Sequence, residues 1–406
     1  MLFAIFSFLS ILISFYLKID LSTLSTGGVT SDLNTHWNYI LLLNKDINNL
    51  INLELGVDYI LLSFPLHHLI FSLFDFLVIN QTIFLNYFFI LSFIIPFIFF
   101  IIIKKEYPHQ NFENHLFLAS LVVILPAYQY SSIWGNPHTT ALIFLLFAFF
   151  FIKKFQFENF TKNKFTYLSI FFLGLASYTR QYYVIFFPYI FLIFIKNISF
   201  KENLKLIIFT ILLGIPGLIF ITKNLALITG LHTLNITNFN TSILISYSII
   251  FFYILPFIIQ YFLNDKSDFI KQIKKKIIIT FGLTFLIVII LNFNFYYDSS
   301  IGGGIFFKIS NILFNNNILL LITSFFGIFF TYFYCQKNIE NLYLLIIFGI
   351  TFTSGFFVFQ KYFEPLFLII FLIFFDKEKI LKSISKSKGF IAFYFGSYYL
   401  MLNFLK

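Results

Sequence analysis

The sequence predicts an all-α, polytopic transmembrane helical bundle, and its composition, its long apolar runs and the placement of its lysines all favour this fold class. Of the 406 residues, 59% are hydrophobic and 11% are charged, and the mean hydropathy is +0.90. A water-soluble domain has an apolar share nearer one half and a charged share nearer one quarter. Residues 83–103, 204–222 and 277–291 approach the roughly 20 apolar residues that a helix needs to cross a bilayer. Strand-like alternation is absent, so helices are expected to make the crossings.

The lysines predict the orientation of the helices. They account for most of the net charge of +10 and fall in short connectors between apolar runs, which the positive-inside rule places in the cytoplasm. They therefore indicate topology rather than a nucleic-acid partner. The expected cytoplasmic connectors are 104–105, 153–164, 196–205, 266–276 and 377–388. The expected outer segments are 128–138, 178–181, 223–240, 292–317 and 359–361.

The N-terminal region is expected to form an uncleaved span followed by a long first outer loop, at about residues 19–80. Residues 2–17 resemble a signal h-region, but no basic region precedes them and no small-residue cleavage site follows. Within the loop, apolar residues recur at helical spacing, which predicts an amphipathic helix lying in the membrane interface. These residues are Trp37, Ile40, Leu41, Ile47, Leu50 and Ile51.

Pro65 is expected to begin a short helix that dips into the outer leaflet, so that 83–103 returns the chain to the cytoplasm. This topology gives about 12 or 13 crossings when each run is counted as one span. No internal repeat is present, and residues 1–406 are expected to form one domain. The single cysteine, Cys335, cannot form an internal disulfide.

The expected spans contain almost no ionisable side chains, which moves the expected chemistry to the outer surface. A coupled transporter normally places carboxylates or histidines at mid-membrane. The candidates at the outer surface are Asp32, His36, Asp58, His67, His68, His138, Arg180, Asp298, Lys308, Lys361 and Glu364. Asp298 precedes three glycines at 302–304, which suit either a loop that closes on a ligand or a flexible turn.

Asp32 and His36 are four residues apart and share one face if the helix has begun. Asp32 could also simply cap that helix. His67 and His68 follow Pro65 in the first turn of their helix. With Asp32 or Asp58 they could bind a divalent metal, although adjacent histidines point in different directions on a helix and could equally be interfacial polar residues.

Arg180 is the only arginine in the chain. A guanidinium binds phosphate oxygens through two parallel hydrogen bonds that an ammonium cannot reproduce. Arg180 is expected at headgroup depth on the outer face, where an interfacial anchor is the alternative role. If a lipid phosphate leaves from a sugar, it needs no proton, so one cation and one carboxylate base are sufficient. Hydrolysis of an ordinary glycosidic bond usually takes a carboxylate pair.

These residues resemble the GT-C superfamily of polytopic glycosyltransferases that use polyprenyl-phosphate sugars. The D-x-x-x-H of Asp32 and His36, the helix at Pro65 and the Arg180–Gln181 pair are similar to the dolichyl-phosphate-glucose alpha-1,2-glucosyltransferase family. The chain departs from the family pattern at two positions. It has Leu33 where the family has an acidic residue, and it has Phe64 and Pro65 where the family has two prolines. The resemblance implies that Asp32 is the catalytic base or a metal-linked acid, and that Arg180 contacts the lipid phosphate.

The resulting expectation is a GT-C-like glycosyltransferase that acts on the periplasmic, extracellular or ER-lumenal face. It would use a polyprenyl-phosphate sugar donor and a glycan or lipid-linked acceptor, with a divalent metal as an open possibility. The expected catalytic residues are Asp32, His36 and Asp58. The expected substrate-binding residues are Arg180, Gln181, His67, His68, Asp298, Lys308 and Lys361. A lipid or polysaccharide flippase and an O-antigen polymerase or ligase are the alternative classes.

Overall fold

In a computed structural model, the protein is all-α, as the sequence predicts. The structure describes residues 1–19, 29–50, 64–223, 239–274, 277–293, 295–297, 302–335, 339–351 and 358–404. All regular secondary structure in these residues is helical. The first helices are α1 (Leu2–Tyr16), α2 (Val29–Lys45), α3 (Leu66–Ser72), α4 (Asp75–Val78), α5 (Gln81–Ser92), α6 (Ile94–Glu106), α7 (Phe112–Ile124), α8 (Pro126–Ile133), α9 (Pro137–Phe157), α10 (Lys164–Thr179), α11 (Phe186–Ile195) and α12 (Phe200–Lys223). The remaining helices are α13 (Phe239–Asn264), α14 (Lys266–Lys274), α15 (Ile277–Asn292), α16 (Gly304–Phe314), α17 (Ile318–Tyr334), α18 (Ile339–Ile350), α19 (Leu366–Phe374), α20 (Lys377–Ile384) and α21 (Gly389–Phe404).

Several helices have the length and composition of membrane spans, as expected for an integral membrane protein. Within the described residues there are 4 such segments, Gln81–Glu106, Pro137–Phe157, Phe200–Lys223 and Phe239–Asn264. The pair α7 and α8, bent by 66°, raises the number to 5 if it is counted as one span. The expected first span is the helix α1, but its 15 residues are shorter than the roughly 20 that cross a bilayer. The higher count of about 12 or 13 crossings stays a prediction.

The helices group into two compact units. The first comprises Met1–Thr26, Ile103–Tyr128 and Leu234–Lys406, and the second comprises Gly27–Ile102 and Gln129–Thr233. The expectation that the chain is one domain stays a prediction. The expected functional residues are distributed over both units.

In the first unit, α13 is the central helix and α17 packs closely along it. A Cβ atom at Gly327 would lie 2.0 Å from the carbonyl oxygen of Tyr247, so only glycine allows this approach. The fully buried carboxylate of Glu364 accepts hydrogen bonds from the hydroxyls of Tyr253 and Tyr398, and from the backbone N–H of Ala127 at 2.8 Å. These donors account for a buried carboxylate without invoking chemistry. Glu364 is therefore a structural connection within the first unit.

In the second unit, α2 packs against the helices that follow it. Leu33 and Ile40 of α2 are buried in one cluster with Phe71, Leu77, Phe84, Leu85 and Phe88, and Trp37 and Trp134 pack against it. Leu33, Trp37 and Ile40 recur at spacings of four and three, so they lie on one face of the helix. Burial of this face holds α2 in place, and it fixes the direction in which Asp32 and His36 project.

The bounds of this amphipathic helix differ from those expected. The structure begins α2 at Val29 and ends it at Lys45, and a short 3₁₀ helix, Ile47–Leu50, follows. Ile47 is 51% exposed rather than part of a continuous apolar face, and Ile51 lies outside the described residues. The predicted short helix is present, because α3 begins directly after Pro65. The positions of α2 and α3 at a membrane surface stay predictions.

Candidate functional site

Asp32 lies in the first turn of α2 and its carboxylate is held by a tyrosine. Its Oδ2 accepts a hydrogen bond of 2.8 Å from the hydroxyl of Tyr130, which is only 3% exposed. Because α2 begins at Val29, Asp32 lies inside the helix rather than at the N-cap position considered from the sequence. A carboxylate in the first turn is favoured by the helix dipole. Asp32 is thus a half-buried, oriented acid.

One turn after Asp32, His36 of α2 contacts His68 of α3. His36 Nδ1 lies 3.0 Å from His68 Nε2, a hydrogen-bonding distance. The ring of Tyr39 packs edge-on against His68, with centroids 4.8 Å apart. His68 is fully buried, and its Nδ1 has no hydrogen-bond partner among the described residues. The sequence placed both histidines in the site, and the structure joins them directly.

His67, the neighbour of His68 on α3, is also fully buried. Its Nδ1 lies 2.9 Å from the hydroxyl of Thr140 on α9, and Phe71 and Phe88 surround its ring. Burial lowers the pKa of His67 well below its usual range, and the nearby charges of His36 and Arg180 lower it further. Burial likewise lowers the pKa of His68, with smaller contributions from the neighbouring imidazoles and from Arg180. Both imidazoles are therefore neutral at pH 7.

The metal site considered from the sequence has no support in the described part of the chain. That part contains no group of three or more His, Cys, Asp or Glu residues arranged to hold a metal ion. The imidazole nitrogens of His36 and His68 hydrogen-bond each other, and His67 hydrogen-bonds Thr140. Asp58, the other carboxylate considered as a ligand, lies outside the described residues.

A tight turn between α8 and α9 positions the other half of the site. Gly135 has φ of +65°, which favours glycine, and an added Cβ would lie 2.6 Å from Phe84 Cε1. The next residue, Asn136, caps α9 by accepting a hydrogen bond of 3.0 Å from the N–H of His138. Pro137 follows in the first turn of α9, a position that tolerates proline. The sequence Gly-Asn-Pro thus determines where the Asn136 side chain points.

Arg180 is held by that same asparagine. It ends α10, with its N–H bonded to the carbonyl of Ala176 at 2.8 Å. Its Nη2 donates to Asn136 Oδ1 at 3.3 Å, whereas its buried Nε has no hydrogen-bond partner among the described residues. A guanidinium has five N–H donors, so Arg180 keeps donor capacity for an anionic ligand. Beside it, the hydroxyl of Tyr182 hydrogen-bonds His138 Nδ1 at 2.8 Å.

An apolar cavity is lined by Gln181, the residue that follows Arg180 in the sequence. It has a volume of about 780 Å³ and is lined by α10, α12 and the segment that follows Arg180. Gln181, the residue directly after Arg180, belongs to the lining, together with Phe64 and Tyr178. Ligand pockets usually measure about 300–1,000 Å³. The cavity therefore has the size and the apolar character expected of a hydrocarbon-binding site.

The remaining predicted site residues lie elsewhere. Asp298 falls outside the described residues, as Asp58 does. Lys308 on α16 and Lys361, whose Nζ lies 5.4 Å from the centre of the Phe359 ring, belong to the first unit.

Sequence reasoning missed several residues that the structure places at the site. Tyr130 and Asn136 were not singled out, although they bind Asp32 and Arg180 and come from one short segment of chain. Asn136 had a local signal, because an asparagine followed by proline is typical of a helix start. Tyr130 had none, since its role depends on a contact with a residue 98 positions away.

The fold and the site together define an all-helical protein with membrane-span-length helices and an oriented carboxylate. The same unit carries His36, His67, His68 and His138, and it carries the arginine that directly precedes Gln181, a lining residue of the apolar cavity. No protein-family model, no curated protein and no solved structure matches the chain. Its function is therefore argued from the site itself.

Proposed function

We propose that the protein is a membrane glycosyltransferase that moves a sugar from a polyprenyl-phosphate carrier to a hydroxyl acceptor. The observation that carries the proposal is the placement of the chain's only arginine directly before Gln181, a lining residue of the apolar cavity. A lipid phosphate combines the two chemistries that meet there, an anionic head and a hydrocarbon chain.

Arg180 supports the phosphate end of this ligand. Its side chain is half-buried, and Asn136 orients it from one side. Its buried Nε, which has no hydrogen-bond partner in the part of the chain that the structure describes, can form one member of a bidentate pair of charge-assisted hydrogen bonds to phosphate oxygens. The hydrocarbon chain occupies the cavity next to Gln181, whose lining is predominantly apolar.

Asp32 supports the transfer step. The acceptor hydroxyl attacks the anomeric carbon while its proton passes to the Asp32 carboxylate. The bond between the anomeric carbon and the phosphate oxygen breaks, and its electron pair stays on the lipid phosphate, whose charge Arg180 stabilises. The hydrogen bond from Tyr130 holds the carboxylate in one orientation. The fixed imidazole of His36, one turn away, can donate to or accept from a sugar hydroxyl.

The proposed enzyme has the membrane topology that the positions of the lysines predict. The chain crosses the membrane about 12 or 13 times in a GT-C-like arrangement, with α2 at the outer membrane surface and the lysine connectors in the cytoplasm. The lipid-linked donor reaches the site from the bilayer, and the acceptor is a glycan or another lipid-linked molecule.

Purified protein in lipid nanodiscs, supplied with a mixed pool of polyprenyl-phosphate sugars and glycan acceptors, tests the proposal. The expected result is transfer of one sugar class by the wild type and a loss of about 100-fold or more in Asp32→Asn. Asp75→Asn is a matched control, because Asp75 on α4 is an exposed carboxylate of the same unit. Absence of transfer from every donor would refute the proposal, and movement of intact lipid across a vesicle membrane would favour a flippase.

A further inference from the structure

The wall of the apolar cavity contains a side chain inserted between two backbone groups of a helix. The hydroxyl of Tyr178, on α10, contacts the carbonyl oxygen of Leu213 on α12 and accepts a hydrogen bond of 3.0 Å from the N–H of Gly217. Residues 213 and 217 are four apart, so an unbroken α-helix would pair these two groups with each other. A side chain that inserts in this way is one of the known causes of a kink in a helix.

The sequence of α12 permits this insertion. Pro216 lies inside the helix, where its ring removes one backbone donor and weakens the adjacent turn. Gly217 provides the space, because an added Cβ would lie 2.9 Å from Tyr178 Cε1. On α10, an added Cβ at Gly174 would lie 2.3 Å from Leu213 Cδ2, so the two helices approach closely at this level.

The two backbone groups that contact the Tyr178 hydroxyl belong to residues that line the cavity. Leu213, Gly214 and Gly217 of α12 all line it, together with Gly174 and Tyr178 of α10. The ring of Phe64 packs edge-on against Tyr178, with centroids 5.7 Å apart, and tilts against Phe220 of α12 at 5.5 Å. The shape of the cavity therefore depends on the position of the Tyr178 ring and on the backbone of α12 at Leu213 and Gly217.

We propose that Tyr178 determines the chain-length specificity of the cavity, because its hydroxyl holds α12 open and so creates the room for a long hydrocarbon chain. The identity of the ligand as a prenyl phosphate rests on the proposed function. Without the hydroxyl, the N–H of Gly217 pairs directly with the carbonyl of Leu213 and the turn closes. The part of the cavity along α12 then narrows, and the distal part of a long hydrocarbon chain no longer fits in it.

Binding measurements on purified protein in nanodiscs test this proposal. The dissociation constants of a long polyprenyl phosphate and a short prenyl phosphate are measured for the wild type, Tyr178→Phe and Gly217→Ala. In both variants the long chain should bind about tenfold more weakly, because a chain that enters a narrowed, well-packed space meets an overpacking cost of this order. The short chain should bind as it does to the wild type.

Two controls match these variants. Tyr167→Phe removes a hydroxyl from the same helix at a residue that packs on Phe209 and does not belong to the cavity lining. Gly282→Ala adds the same methyl group to α15, at a position where a Cβ would meet no other atom of the described part of the chain within 4 Å, and Gly282 does not belong to the cavity lining. Both should keep the wild-type ratio of the two dissociation constants.

The outcomes separate this proposal from the proposed function. A long polyprenol without phosphate serves as a third probe. If the wild type binds polyprenol as well as polyprenyl phosphate, the phosphate role fails, while weaker polyprenol binding in Tyr178→Phe and Gly217→Ala still supports the role of Tyr178. If both variants keep the wild-type preference for long chains, or if the wild type binds none of the probes, the role of Tyr178 is refuted. Gly217→Ala retains the hydroxyl and thus provides the test if Tyr178→Phe does not fold.

Discussion

Replacing Asn136 with aspartate should affect stability and ligand binding in opposite directions. Asn136 Oδ1 accepts hydrogen bonds from His138 N at 3.0 Å and from Arg180 Nη2 at 3.3 Å. Aspartate caps helices about as well as asparagine, and a negative charge at a helix N-terminus contributes about 0.3–1 kcal/mol. Asn136→Asp should therefore leave the free energy of unfolding unchanged or raise it by up to about 1 kcal/mol.

The same carboxylate should weaken phosphate binding. It would lie 3.3 Å from the guanidinium, and a bound phosphate oxygen lies about 2.8 Å beyond it, so the two anions are about 6 Å apart. At an effective dielectric constant of about 20, their repulsion is about 3 kcal/mol. This corresponds to about 100-fold in affinity. Solvent at this half-buried site screens part of the repulsion, so the expected loss is between about tenfold and about 100-fold.

Thermal unfolding and the dissociation constant of a polyprenyl phosphate, measured on the same preparation, check both effects. Asn80→Asp is the matched control, because Asn80 caps α5 by accepting from Thr82 N at 2.7 Å. It adds the same charge at another helix start and should leave lipid affinity unchanged. Unchanged lipid affinity in Asn136→Asp would show that Arg180 does not bind the phosphate.

The remaining predictions concern the base, the core and the histidines. Tyr130→Phe removes the hydrogen-bond donor to Asp32, so turnover in steady-state kinetics should fall by about tenfold or more. The dissociation constant of the lipid should stay unchanged. Ile40→Ala should cost about 2–5 kcal/mol of unfolding free energy in denaturant titrations, because Ile40 is completely buried. The lowered pKa values of His67 and His68 mean that the unfolded chain binds protons that the folded chain excludes. Above about pH 6.5, the two histidines should therefore not make the free energy of unfolding depend on pH, and below that pH they should lower it. Thermal midpoints recorded between about pH 8 and pH 5 check this.

The sequence predicted the helical class and many helix positions, because apolar runs and lysine connectors depend on local composition. The connector expected at 153–164 contains the end of α9 and the start of α10, and the one expected at 266–276 contains α14. Pro65 correctly marked the start of α3. The bend of 66° between α7 and α8 also had a local signal that was not used, since Pro126 disfavours a helical conformation at Leu125.

Composition prevented a finer prediction of α2. Residues 39–43 of this helix are Tyr-Ile-Leu-Leu-Leu, so apolar side chains occur on several of its faces and periodicity alone could not show which face is buried. The face that packs includes Leu33, which preceded the predicted stripe, and excludes Ile47. Packing against Phe71 and Phe84 selects that face, and such tertiary contacts are not visible in local sequence.

The hydrogen-bond partners of the candidate site residues could not be predicted from the sequence either. The sequence placed Asp32, His36, His68 and Arg180 among the candidates, but the hydrogen bond between His36 and His68 joins residues 32 positions apart. The cavity depends on Tyr178, one of 24 tyrosines, reaching a glycine of another helix. Residue types indicated the chemistry, whereas the distances depend on how the helices of the second unit pack.

A structure of the protein with a bound polyprenyl phosphate is the most direct test of the proposed function. Cryo-electron microscopy in nanodiscs should show a phosphate oxygen within about 3 Å of the Arg180 guanidinium. The hydrocarbon chain should lie in the cavity along Gln181 and Tyr178, and the Asp32 carboxylate should face the phosphate across a space large enough for a sugar. A lipid whose phosphate lies away from Arg180, or a cavity that stays without lipid at saturating concentration, would contradict the account.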